Sequence, residues 1–251
     1  MTTPLHGDRR PVVTVIQSSP DVSLDRFGAW LGGVELHIVA AFAGESVPVV
    51  DEIGDGLVVL GGHMSAHDDA TAPWLPELRA LLAHASLQDV PTLGICLGAQ
   101  LLAAARGGRV QVSAPPGREA GVVDVRWRPE ASGDPVVGAV AALADARHHT
   151  PQPSMHADAV VDLPRGAVWL ASSAMYPYQA FRIGSAWGVQ FHPEAGADTL
   201  RGWADSHDDV DTDAVLSAYA AREDEVVAVG RTLAESFAAH VRAKAQAALA
   251  V

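Results

Sequence analysis

Four short, almost uninterrupted apolar runs constrain the fold of this chain more than any other feature: PVVTVIQSS (11–19), LHIVA (36–40), LVVL (57–60) and TLGI (92–95). Strands that are apolar along their whole length are covered on both faces, the condition of a parallel sheet between two layers of helices. Between the last two runs, PWLPELRALLAHASL (73–87) places Trp74, Leu78, Leu81, Leu82 and Ala85 at helical spacing, with Glu77, Arg79 and His84 elsewhere. Strand, helix, strand, helix predicts an α/β fold with a parallel sheet. The middle of the chain is different. GVVDVRW (121–127), AVWLASS (167–173), YQAFRI (178–183) and AWGVQF (186–191) read as strands with no long helices between them, so the sheet is expected to gain an antiparallel extension. The pieces at 114–117 and 147–156 read as surface loops rich in Pro or in His and Pro. From about residue 211 the chain reads as helical, with Val215, Tyr219, Val226, Leu233, Phe237 and Val241 as its apolar stripe. The 251 residues, 49% of them hydrophobic, suit one domain spanning 1–251.

Charge and cysteine usage exclude several function classes. Against 17 Lys and Arg stand 30 Asp and Glu, a net charge of -13 that disfavours nucleic acid and anionic membrane surfaces as partners. The opening MTTPLHGDRR lacks the apolar core of a secretory leader, and no stretch approaches the about 20 apolar residues that span a bilayer. The single cysteine, Cys96, has no disulfide partner in the chain, which fits a reducing cytoplasm. No G-x-x-x-x-G-K-[ST] phosphate loop occurs, so the chain is not expected to activate an acceptor with ATP. His63, His67, Asp68 and Asp69 lie close together, yet they follow a glycine pair and lead into a helix start at Pro73. They read as a solvated loop, with no metal and no cofactor expected. His148–His149 and His207–Asp208–Asp209 read as surface for want of a third ligand.

A lone cysteine is ordinarily a small buried hydrophobe. Its surroundings make Cys96 more than that. In PTLGICLGAQLLAAARGG (91–108) a buried strand runs into a helix through Gly94-Ile95-Cys96-Leu97-Gly98, the G-x-nucleophile-x-G pattern of a nucleophile elbow. Such a turn sets the sulfur at the carboxyl end of the sheet, where open α/β folds bind ligands. It also sets the sulfur at a helix N-terminus, whose dipole and free N–H groups favour a thiolate. The N–H of Leu97 would point at the oxyanion formed when sulfur attacks a carbonyl. Downstream, His192-Pro193-Glu194 ends a strand. In extended chain, residues two apart share a side, so Glu194 reaches one imidazole nitrogen of His192 and leaves the other for the sulfur.

GICLGAQLLA together with GVQFHPE resembles the class I glutamine amidotransferases, from about residue 10 to about 205. The resemblance implies a flavodoxin-like α/β domain and a catalytic triad of Cys96, His192 and Glu194. It implies the glycine pair Gly61 and Gly62 as the second oxyanion donor beside Leu97, although many relatives have proline where this chain has His63. Gln100 would hold the substrate glutamine, and the backbone of Met155, His156, Ala157 and Asp158 would contact its α-amino and α-carboxyl groups. Arg118 and Glu119, in GREAG, are similar to a short segment of GMP-synthase-type members and would line the site or form a solvated turn. The implied activity is release of ammonia from the glutamine side-chain amide. Either a separate synthase subunit receives that ammonia, or no acceptor exists and the substrate is a γ-glutamyl compound. A catalytically silent binding module on the same fold is the third reading.

Overall fold

The structure is a computed structural model that describes residues 9–249. The opening residues 1–8, on which the leader expectation rests, lie outside the described residues. The elements run in the order β1 (Val12–Gln17), α1 (Phe27–Trp30), β2 (Glu35–Ala40), β3 (Gly56–Val59), α2 (Leu75–Leu87), β4 (Thr92–Ile95), α3 (Leu97–Ala105), β5 (Arg109–Gln111), β6 (Glu119–Trp127), α4 (Gly138–Ala141), β7 (His149–His156), β8 (Ala159–Asp162), β9 (Val168–Ser172), β10 (Ala180–Ile183), β11 (Ala186–Val189), α5 (Ala197–Asp205), α6 (Thr212–Ala221) and α7 (Glu223–Leu249).

A nine-stranded sheet is ordered β2-β1-β3-β4-β11-β10-β9-β6-β7. The first five strands pair in parallel, and β10, β9, β6 and β7 extend the sheet antiparallel, as the sequence patterns predict. Alternate residues of the central strands feed two cores. Val13, Val15 and Val58 face one layer with Phe27, Leu233 and Phe237, while Ile16, Leu57 and Val59 face the other with Leu78, Leu81, Leu97 and Leu101. Burial on both sides explains why β1, β3 and β4 read as continuous apolar runs, whereas β2, expected to be covered on both faces as well, lies at the edge of the sheet and exposes Ile38. The predicted stripe from Val215 to Val241 is buried throughout, and α7 covers one face of the sheet.

One stretch expected as a loop is a strand. The stretch 147–156 is not a surface loop: His149–His156 is a strand paired along its length with β6, and Thr150 to His156 are buried. Pro151 and Pro153 made it read as loop. An edge strand tolerates proline, because only one side of its backbone joins the ladder, and β7 is that edge. No helix among the described residues is long and apolar enough to cross a membrane.

Candidate active site

The ends of β1, β3, β4 and β11 bring the site together, at the carboxyl edge of the parallel strands. Between β4 and α3 the chain reverses at Cys96, whose backbone adopts φ 51° and ψ -106°. Positive φ in a non-glycine residue costs on the order of 1–3 kcal/mol and persists only where packing enforces it. The flanking glycines enforce it here. A Cβ on Gly98 would lie 2.1 Å from the Val59 carbonyl oxygen, and one on Gly94 would lie 2.5 Å from the Gly98 carbonyl oxygen. Any side chain at either position would push β3, β4 and α3 apart.

His192 and Glu194 follow β11. Here the geometry departs from the extended conformation expected of them: the strand ends at Val189, and His192 to Ala195 form a turn closed by a 3.2 Å backbone hydrogen bond. The turn still sets the two side chains together, with His192 Nδ1 2.7 Å from Glu194 Oε1. The backbone N–H of His192 donates to Pro153 of β7 at 2.7 Å, which ties this turn to the antiparallel half of the sheet. Both side chains are buried, and Glu194 Oε2 has no donor among the described residues. Burial alone would push the His192 imidazole below its usual value near 6.5. The Glu194 carboxylate, the charge on Cys96 and hydrogen bonds to both outweigh it and raise the ring to about 10.

A cavity of about 270 Å³ opens on this group, lined by Cys96, His192, Gly62, Gln100 and the segment Met155–Asp158. A Cβ on Gly61 would meet His192 Cε1 at 2.9 Å and Cys96 Cβ at 3.6 Å, and one on Gly62 would meet a Leu97 methyl at 2.9 Å. Only glycine lets this loop lie against the cysteine and histidine. Among the described residues, the N–H groups of Gly61, Gly62 and Leu97 find no internal acceptor. Gln100, one turn into α3, is buried and donates through Nε2 to the Asp158 carbonyl at 2.9 Å and to Gln190 Oε1 at 3.3 Å.

Several residues in or behind the cavity lining escaped the sequence reading or were read otherwise. Gln190 Nε2 lies 3.6 Å from Cys96 Sγ and links the sulfur to Gln100. The Trp203 ring packs 4.4 Å from that of His192. His207 lines the cavity, although it read as surface, and Asp209 of the same loop binds Arg118 at 3.0 Å. Arg118 itself lines the cavity, whereas Glu119 is buried beside it and not solvated. The side chains near the glycine pair are engaged elsewhere: His63 with Asp21 at 2.6 Å, Asp68 with the Ser65 N–H, Asp69 with Arg79.

Residues 33–201 match the family model described as "Glutamine amidotransferase class-I". The chain belongs to this family. Among curated proteins, it is 34% identical over 151 residues to a subunit of the glutamine-hydrolyzing GMP synthase of Halobacterium salinarum, covering 59% of this chain and 71% of that one. It is likewise 34% identical over 154 residues to the glutamine-hydrolyzing GMP synthase of Thiobacillus denitrificans, but there the match spans 26% of the longer protein. Among solved structures, a glutamine amidotransferase from Thermotoga maritima superposes with a TM-score of 0.78 at 25% identity, over 92% of this chain and 99% of that one. One from Methylobacillus flagellatus superposes with a TM-score of 0.76 at 29% identity, over 94% and 96%. As a class-I amidotransferase relative, the chain carries Trp203 and His207 just beyond the segment that the family model matches.

Proposed function

We propose that this chain hydrolyses the side-chain amide of glutamine through a cysteinyl γ-glutamyl thioester and releases ammonia. The observation that carries this reading is Cys96 on its strained turn, lining the same cavity as a buried His192 whose Nδ1 is held by Glu194. In this mechanism the proton of Cys96 already rests on His192, whose ring is raised to about 10, and the sulfur attacks the carboxamide carbon as a thiolate. The N–H of Leu97 and that of Gly61 or Gly62 stabilise the oxyanion, and His192 returns the proton to the departing ammonia. Water then cleaves the thioester with His192 as base. Gln100 and the backbone of Met155 to Asp158 hold the glutamine across the cavity. The unit is the whole chain, 1–251, with α6 and α7 as its helical extension, working in the cytoplasm. Two of its relatives are named as single subunits of GMP synthase, which supports a separate synthase partner that accepts the ammonia.

A second reading has one observation in its favour. The cavity is also lined by His63, Trp203, His207 and Arg118, and a substituent on the amide nitrogen would need room of this kind. That favours a γ-glutamyl peptide-like substrate served by the same three residues. The purified chain, assayed without any partner for ammonia from glutamine and for amine from γ-glutamyl dipeptides, separates the two. Cys96→Ser and Cys96→Ala should abolish either activity. Full turnover in a folded Cys96→Ala protein eliminates the mechanism.

A further inference from the structure

Apart from Cys96, His192 and Glu194, the molecule buries a second cluster of titratable and polar groups, under the segment Met155–Asp158. Glu119 opens β6 and is paired in register with His156 at the end of β7, and they are 3% and 4% exposed. Two side-chain donors converge on the Glu119 carboxyl, Ser173 Oγ at 2.5 Å and Gln179 Nε2 at 2.5 Å, and His156 Nε2 lies 3.1 Å from it. Among the described residues no Arg or Lys touches it. The other ring nitrogen of His156, Nδ1, lies 3.0 Å from the Asp158 carbonyl oxygen, which also accepts from Gln100 Nε2.

Both nitrogens of His156 therefore face oxygens that accept. A carbonyl oxygen has no proton to give, and both oxygens of the Glu119 carboxyl already accept, from Ser173 and Gln179, which is the arrangement that suits a carboxylate. A neutral imidazole has one N–H and would set its remaining lone pair against one of these oxygens in a dry site. A buried cation is costly unless paired and hydrogen-bonded. His156 has both kinds of partner, and the face of Tyr176 is close, with ring centroids 4.9 Å apart. The other charges nearby are engaged elsewhere. Asp158 accepts the Ser113 N–H through its own carboxylate, and Arg118 binds Asp209. The pair is also oriented. His156 lines the cavity and Glu119 lies behind it, so the positive end of the dipole faces the ligand.

We propose that His156 is a buried imidazolium held by Glu119, a positioning residue that fixes the Asp158 main chain and turns a positive wall toward a carboxylate on the substrate. Only the identity of that substrate rests on the glutaminase reading; the charge state of His156 stands on the hydrogen bonds alone. Glu119→Gln is the informative variant. The side-chain amide keeps one accepting oxygen where the carboxylate has two, so its N–H₂ would meet Ser173 or Gln179 head-on.

The first test needs no activity. In the full-length protein labelled with ¹⁵N-histidine, with the His156 ring signals assigned through the backbone, both ring nitrogens should carry protons at pH 7. A ring with one bare nitrogen under those conditions overturns the proposal. The second test reads the carboxylate preference. In Glu119→Gln the KM for glutamine should rise about tenfold, a charge-assisted contact being lost. The KM for glutaminamide, which lacks the α-carboxylate, should change less than twofold. Equal rises for both compounds overturn the carboxylate assignment. If the chain proves to have no glutaminase activity, the proposed function fails while the NMR result still decides the charge of His156.

Discussion

Gly230, part-way along α7, packs so closely on Pro193 that a Cβ at position 230 would lie 2.2 Å from the Pro193 carbonyl oxygen. The last helix thus bears directly on the turn that joins His192 to Glu194. Glycine in a helix interior costs about 1 kcal/mol relative to alanine, so this glycine is explained by the contact and not by the helix.

Gly230→Ala should therefore slow the reaction and not accelerate folding through better helix propensity. The turn or the helix must yield by about an ångström, and misplacement of that size costs up to about 10²-fold in well-oriented sites. We expect kcat to fall at least about tenfold, KM to move less, and far-ultraviolet circular dichroism to stay unchanged. Wild-type kcat in a folded Gly230→Ala protein would show that α7 does not hold the turn.

Gly98→Ala tests the elbow from the other side. A methyl 2.1 Å from the Val59 carbonyl oxygen meets backbone, which cannot rotate away. Overpacking of this kind costs typically about 1–3 kcal/mol and sometimes more. Urea unfolding should show a lowered midpoint, and any folded fraction should have lost the Cys96 turn and with it most of its reactivity toward iodoacetamide.

Trp203 provides the third prediction. Its ring packs tilted against that of His192, and its Nε1 donates to the Asp21 carbonyl at 3.2 Å. Truncating a buried tryptophan to alanine costs about 3–5 kcal/mol, and would also admit water beside the imidazole. Trp203→Phe keeps an aromatic ring there and forfeits one hydrogen bond, about 1 kcal/mol. The phenylalanine variant should retain most of the turnover and the alanine variant little. Equal losses in both would place the importance of Trp203 in its hydrogen bond.

What the sequence made legible here is what short-range chemistry determines. The central strands were readable because burial on both faces leaves an apolar run, and the elbow because Gly94 and Gly98 sit where a Cβ would strike backbone four or five residues or one strand away. The strand β7 was not readable, since Pro151 and Pro153 carry the signature of a loop and only its place at the edge of the sheet makes them acceptable. Gln190 and Trp203 reach the site through contacts with residues 94 and 11 positions away, and Glu119, singled out by its motif, is buried through a partner 37 positions away, none of which local pattern encodes. One signal was available for Gln190. It is a polar side chain directly beyond the buried apolar strand β11, at the carboxyl edge where this class of fold binds ligands.

The raised titration of His192 ties the site to stability. Its value is about 10 in the folded protein against about 6.5 for an ordinary histidine, so between these two values the folded state binds more protons than the unfolded one. Stability rises with pH only where the unfolded state binds more, and here the reverse holds. The contribution of His192 is thus fully present below about pH 6.5 and is lost progressively as the pH climbs to about 10. The slope is at most about 1.4 kcal/mol per pH unit. Glu194→Gln removes the charge that opposes burial, which then lowers the imidazole and takes this slope with it. Denaturant unfolding of both proteins between pH 6 and pH 10 should show wild type losing its advantage over Glu194→Gln as the pH rises. A difference that stays constant across the range would mean that Glu194 does not hold a proton on His192.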